Sequence, residues 1–150
     1  MKVPLLDLKG QYRSIKTEID GAVKNVLDNQ DFILGEEVKK LEEEMAAYCG
    51  TKYAVGLASG TDALILSLKA LGIGEGDEVI VPSFTFIATA EAVSLIGAKP
   101  VFADIEPRTF NIEPESIEKI IGKRTKALMP VHLYGQCADM DRILKIARQY

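Results

Sequence analysis

From Tyr53 onward, short unbroken apolar runs alternate with longer segments whose apolar residues recur at helical spacing. Few folds accept that pattern. The runs Tyr53–Ala58, Glu78–Val81, Lys99–Ala103 and Ala127–Val131 read as strands. Residues 61–71 and 87–96, a segment opened by Pro114 and closed by Gly122, and a last segment capped by Asp139 or Asp141 read as helices. In the last helix Met140, Ile143, Leu144 and Ala147 share one face. Gly72, Gly74 and Gly76 punctuate the turn before the second strand, and Gly97 is placed as a helix C-cap. Strands without polar alternation are buried on both faces, so the expected fold class is α/β, a mostly parallel sheet with helices on both faces. The chain stops at Tyr150 just after a helix, where such a fold should continue with a strand. It therefore reads as the front part of a longer protein.

The first fifty residues differ. The first dozen read as an extended arm. Tyr12, Ile15, Ile19, Val23, Val26 and Leu27 then mark a helix over 12–28, which Asn29-Gln30-Asp31 breaks. Phe32-Ile33-Leu34-Gly35 is a short apolar loop. A second helix covers 36–49 with Val38, Leu41, Met45 and Cys49 inward and the Glu42-Glu43-Glu44 run solvated. Residues 1–30 thus form an arm and first helix, and 31–150 an incomplete domain that continues beyond 150.

Eighteen basic against 22 acidic residues give a net charge of −4, which leaves no electrostatic footprint for nucleic acid or anionic lipid. No apolar run spans a bilayer, and Met1–Asp7 lacks the apolar core of a signal peptide. Cys49 and Cys137 match no metal or redox spacing, and with a single histidine no metal site is expected. Both cysteines read as reduced thiols of a cytoplasmic protein.

Open α/β sheets bind ligands beyond the carboxyl ends of their strands. Three segments reach that edge: Ser59-Gly60-Thr61, Pro82–Phe86 and Val131–Gln136. At the first, Gly60 lets an anion approach the backbone at a helix N-terminus, and the Thr61 hydroxyl adds a donor. The plainer alternative is a strand–helix turn capped by Thr61 or Asp62. If a phosphate-bearing cofactor ring sits there, Phe86 is the aromatic to stack on it, with Phe84, nearer the strand, in the core. The competing reading packs both phenylalanines between helices. His132 is either a general base or ligand-stacking group, or a hydrogen-bonded structural residue. Tyr134-Gly135 reads as a turn, and Asp104 and Asp139 as end caps.

These motifs together carry a resemblance. The sequence resembles, over its whole length, the sugar-nucleotide aminotransferases of the fold type I pyridoxal phosphate (PLP) superfamily, the DegT–StrS group. The matching segments are Pro4–Lys9, Phe32–Gly35 with Glu37-Val38, Lys52–Gly56, Ser59–Leu64, Gly76–Ile80, Pro82–Thr89, Gly97–Phe102 and Val131–Gly135. The resemblance implies the N-terminal portion of the PLP-dependent transferase large domain. It implies that the PLP phosphate rests on Gly60 and Thr61 and that Phe86 stacks on the pyridine ring. It places the loop of Phe32, Ile33 and Gly35 near the active site, where substrate and partner subunit meet. A homodimer that moves an amino group from L-glutamate onto a nucleotide-linked keto sugar is implied as well. Leu133–Asp141 is similar to a narrower subgroup that aminates 3-keto sugars on UDP or dTDP, including uronic acids used for O-antigen.

The group's Schiff-base lysine and the acidic partner of the pyridine nitrogen lie beyond position 150. Lys52, Lys69, Lys99 and Lys126 occupy no matching position and read as surface or strand-edge charges. No catalytic residue is therefore assigned within the chain, which alone is expected to be inactive. Two other readings stay open: a PLP-dependent sugar dehydratase of the same group, with histidine for lysine, and a lysine-free binding or regulatory chain.

Overall fold

A computed structural model describes residues 6–150 of the chain. The start of the arm, Pro4-Leu5, lies outside the described residues. Two compact units are present, Met1–Gly56 and Leu57–Tyr150.

In the first unit, α1 spans Leu8–Asn29 and α2 spans Glu36–Cys49. The arm expected over the first dozen residues is thus helical from Leu8 onward. The reason is local: the Asp7 carboxylate accepts from the Gly10 N–H at 2.9 Å and caps the helix earlier than its apolar pattern begins. The apolar stripe of α1, apart from the half-buried Val26, and the residues expected inward on α2, Cys49 included, are not covered. Tyr12, Ile15, Ile19, Val23 and Leu27 on α1, and Val38, Leu41 and Met45 on α2, are all exposed, and Ala46 is the one buried residue of the pair. The periodicity marks an apolar face correctly, but burying it needs a surface that residues 6–56 do not provide.

The strand expected over Tyr53–Ala58 does not form. A strand exists only through a neighbour's ladder, and no strand among the described residues offers one here. The Gly56 N–H instead donates to Glu42 Oε1 at 2.7 Å.

The second unit runs α3 (Gly60–Ala70), β1 (Glu78–Pro82), α4 (Ala88–Leu95), β2 (Lys99–Ala103), α5 (Pro114–Ile120), β3 (Thr125–Leu128), a 3-10 turn at Leu133–Gly135, and α6 (Met140–Gln149). The three strands form one parallel sheet in the order β2-β1-β3, with Ile80 opposite Val101 and Leu128. The chain steps from β1 to β2 in one direction and from β2 to β3 in the other. Right-handed crossovers then put α4 and α5 on opposite faces. The packing agrees. Val79 and Val81 join Leu68, Ile73 and Val93 on one face, while Ile80 joins Ile112, Ile117, Ile143 and Ile146 on the other. All five residues of β1 are buried, as expected for a central parallel strand.

Details of the helix ends follow the sequence. Pro114 is the first residue of α5, where a missing N–H costs nothing. Gly97 follows α4 at φ 83° and returns its N–H to Ser94. Asp139 Oδ1 accepts from the Arg142 N–H and caps α6. Ile146 takes the buried place expected for Leu144 and Ala147, both of which are exposed. Among the described residues, no helix is long and apolar enough to cross a membrane, and no group of metal-binding side chains occurs.

Candidate functional site: the carboxyl edge of the sheet

In a parallel sheet all carboxyl ends share one edge, here at Pro82, Ala103 and Leu128. The amino end of β1 is joined to α3 through 71–77. The C-terminus of α3 therefore lies toward the opposite edge, and its N-terminus points to the carboxyl edge. Residues 59–61 thus reach the same edge as the loop after β1. The step from β1 to β2 and the step from β2 to β3 run in opposite directions across the sheet, with β1 at its centre, and open sheets hold ligands where the strand order reverses.

Ser59, rather than Thr61 or Asp62, is the N-cap of α3. Its Oγ accepts from the Asp62 N–H at 3.1 Å and donates to Asp62 Oδ2 at 2.9 Å, so cap and third helical residue hold each other. That choice has a chemical consequence. With Ser59 as the cap, the Asp62 N–H is satisfied, while the N–H groups of Gly60 and Thr61 have no intrahelical acceptor. Among the described residues the Thr61 hydroxyl has no partner either. A Cβ on Gly60 would meet nothing within 4 Å, so the backbone there faces open space. Two free N–H groups, one hydroxyl and the positive end of an eleven-residue helix fit a phosphate group.

Phe86 sits just ahead of α4 and its ring is 75% exposed. An aromatic ring left that open is available to stack on a planar ligand. Neither Phe86 nor Phe84 packs between helices. Phe84, expected in the core, is 48% exposed. It lies against Phe110 with ring centroids 5.6 Å apart, and Phe110 meets Tyr134 edge-on at 6.4 Å. Ser83 still donates its N–H to the Ala103 carbonyl of β2 at 2.9 Å, and Phe84 is the next residue, already on the exposed loop beyond the sheet's ladder.

His132 makes a structural hydrogen bond: its Nδ1 accepts from the Ala138 N–H at 3.1 Å. Tyr134-Gly135 is a tight turn, as its sequence suggests, with both residues at positive φ.

A residue the sequence did not single out organises this region. The Asn111 side chain is buried, donates to the carbonyls of Gln136 and Cys137, and accepts from the Leu133 N–H at 3.0 Å. It ties the loop after β2 to the loop after β3. The only sequence signal is a polar residue between Phe110 and Ile112, and nothing there names its partners.

A groove of about 690 Å³ lies beside β3 and α6, and another of about 440 Å³ lies between Glu106, Asn111, Gln136 and Arg142. Neither is lined by Gly60, Thr61 or Phe86. Phe32, Ile33 and Gly35 belong to the first unit, where Phe32 and Ile33 are exposed and Gly35 is the buried N-cap of α2.

The sequence model described as the DegT/DnrJ/EryC1/StrS aminotransferase family matches residues 13–150. The chain belongs to that family. Among DegT/DnrJ/EryC1/StrS relatives, it is 52% identical over 148 residues to the UDP-2-acetamido-2-deoxy-3-oxo-D-glucuronate aminotransferase of Pseudomonas aeruginosa. That match covers 99% of this chain and 41% of the relative. The fold matches the crystal structure of S. venezuelae DesV in complex with a ketimine intermediate, with a TM-score of 0.96 and 50% identity over 99% of this chain and 40% of that one. It also matches Bacillus subtilis NtdA with bound cofactor PMP, with a TM-score of 0.93 and 39% identity over 99% of this chain and 34% of that one. The chain thus spans about two fifths of the length of such relatives.

Proposed function

We propose that the full-length protein is a PLP-dependent aminotransferase that moves an amino group from L-glutamate onto a nucleotide-linked keto sugar. The observation that carries this reading is the open N-terminus of α3 at the carboxyl edge of the sheet, in a member of an aminotransferase family. Gly60 and Thr61 hold the cofactor phosphate through two backbone N–H groups and one hydroxyl. Phe86 covers one face of the pyridine ring and keeps water from it. PLP, when bound, supplies the electron sink that lets an amino group leave one carbon and join another. Phe32, Ile33 and Gly35 form a substrate-facing loop. Residues 1–30 are an arm and first helix, and 31–150 the front of the cofactor-binding large domain.

The name of the Pseudomonas relative supports a UDP-linked 3-keto uronic acid as the substrate class, and we propose O-antigen synthesis as the use of its product. The protein works in the cytoplasm as a homodimer. The apolar faces of α1 and α2 are exposed in this chain and call for a cover from the rest of the full-length protein, its second subunit included.

Incubating the full-length protein with PLP, L-glutamate and a UDP-linked 3-keto sugar is expected to give aminated sugar and 2-oxoglutarate in equal amounts. Loss of the keto sugar without 2-oxoglutarate would refute the assignment. Thr61→Val keeps the shape and removes the hydroxyl. A titration of the full-length apoprotein with PLP is expected to show binding weakened about tenfold, the cost of one hydrogen bond to a charged group. Unchanged affinity would remove Thr61 from the phosphate seat.

A further inference from the structure

The loop joining α1 to α2 turns on one carboxylate. Gly35 is the N-cap of α2 and has no side chain to cap with. Asp31, four residues upstream, takes that part: its Oδ2 accepts from the Glu36 N–H at 2.9 Å. The two residues are in tight contact. A Cβ on Gly35 would stand 2.6 Å from both the Asp31 carbonyl oxygen and its Cγ. Inside this closed loop Leu34 lies in the left-handed region at φ 50°, and just before it Gln30 ends α1 as a left-handed C-cap at φ 54°. Phe32, Ile33 and Leu34 are turned outward, 61%, 86% and 84% exposed. Three consecutive large apolar side chains held in water on a closed loop form a contact surface.

We propose that Asp31 is a positioning residue, whose hydrogen bond to Glu36 holds the Phe32-Ile33-Leu34 loop ready to receive the nucleotide-linked keto sugar. The inference rests on the reading above that this loop faces substrate. Asp31 touches no reacting atom and acts through the loop. Its bond fixes the start of α2, and its contact with Gly35 leaves the intervening residues one compact path. A loop shaped in advance spares the ordering that binding would otherwise require. Without the bond the competent conformation is only a fraction of the population, and apparent affinity falls by that fraction.

The test is steady-state kinetics of the full-length holoenzyme with Asp31→Ala, Asp31→Asn, Gly35→Ala and Phe32→Ala. Hydrogen exchange at the Glu36 amide provides a second readout. Asp31→Ala should raise KM for the keto sugar on the order of fivefold, the equivalent of a lost helix cap. It should leave kcat, PLP content and KM for glutamate unchanged and speed exchange at Glu36. Asp31→Asn keeps an oxygen acceptor and should restore KM. Gly35→Ala must displace the loop from Asp31 and should repeat the Asp31→Ala pattern, an independent check if that variant folds poorly. If Phe32→Ala raises KM while Asp31→Ala and Gly35→Ala do not, the positioning role is overturned and the substrate-facing loop stands. If none of these substitutions moves KM, the substrate-facing reading fails and the proposal fails with it.

Discussion

Gly60→Asp should leave the apoprotein at least as stable as the parent while binding of PLP is lost. The two halves of this expectation have opposite electrostatic signs. Gly60 is the first residue of α3, has ordinary negative-φ backbone, and a Cβ there would touch nothing within 4 Å. A carboxylate in the first turn is favoured by the helix dipole, so folding gains slightly. The same carboxylate faces the surface assigned to the phosphate. Two unit charges roughly 5 Å apart at an effective dielectric of about 20 repel by about 3 kcal/mol, a loss of at least a hundredfold in affinity. Thermal melting of the full-length apoprotein and a PLP titration check the two parts separately. A variant that melts normally and still binds PLP would show that the phosphate rests elsewhere.

Asn111→Ala is expected to cost about 3 kcal/mol of folding stability. The side chain makes three hydrogen bonds to main-chain groups of the 133–137 loop and is only 4% exposed. Truncation strands the Leu133 N–H and two carbonyls with no replacement, and each orphaned group costs about 1 kcal/mol or more. The damage should centre on the carboxyl edge, since Asn111 adjoins Phe110 in the Phe84–Phe110–Tyr134 row. Chemical denaturation of the full-length protein is expected to show the lowered midpoint, and Asn111→Asp should recover only part of it. The Asp side chain keeps the acceptor for Leu133 but cannot donate to Gln136 and Cys137. Parental stability in Asn111→Ala would mean that the loop is held by other contacts.

How legible the fold was depended on where each element finds its partners. From Glu78 on, every strand finds its ladder within the described residues. There, continuous apolar runs such as Val79-Ile80-Val81 and punctuation by Pro114, Gly97 and Asp139 translate directly into β1, α4, α5 and α6. The segment 53–58 has the composition of a strand and no ladder to join among the described residues, so composition alone misassigned it. The apolar stripes of α1 and α2 were visible as spacing, yet spacing does not say what covers them. At the candidate site, the sequence places Gly60 and Thr61 at a helix start, and the structure leaves their N–H groups without an intrahelical acceptor. Ser59 was missed as the cap because Thr61 and Asp62 are equally good capping residues on paper. Asn111 and Asp31 were invisible for a different reason. Each acts through main-chain groups of a loop, and a hydrogen bond to a backbone leaves no mark in the partner's identity.

The central claim is that this family member seats PLP at the N-terminus of α3 in an aminotransferase that holds its cofactor through a lysine. The most direct measurement is the intact mass of the full-length protein, loaded with PLP, before and after borohydride reduction. The predicted result is a reduced, covalent PLP adduct on the parent protein that is absent from Gly60→Asp under the same conditions. A full-length protein that takes up no adduct at saturating PLP, or an adduct equally abundant in Gly60→Asp, would contradict it.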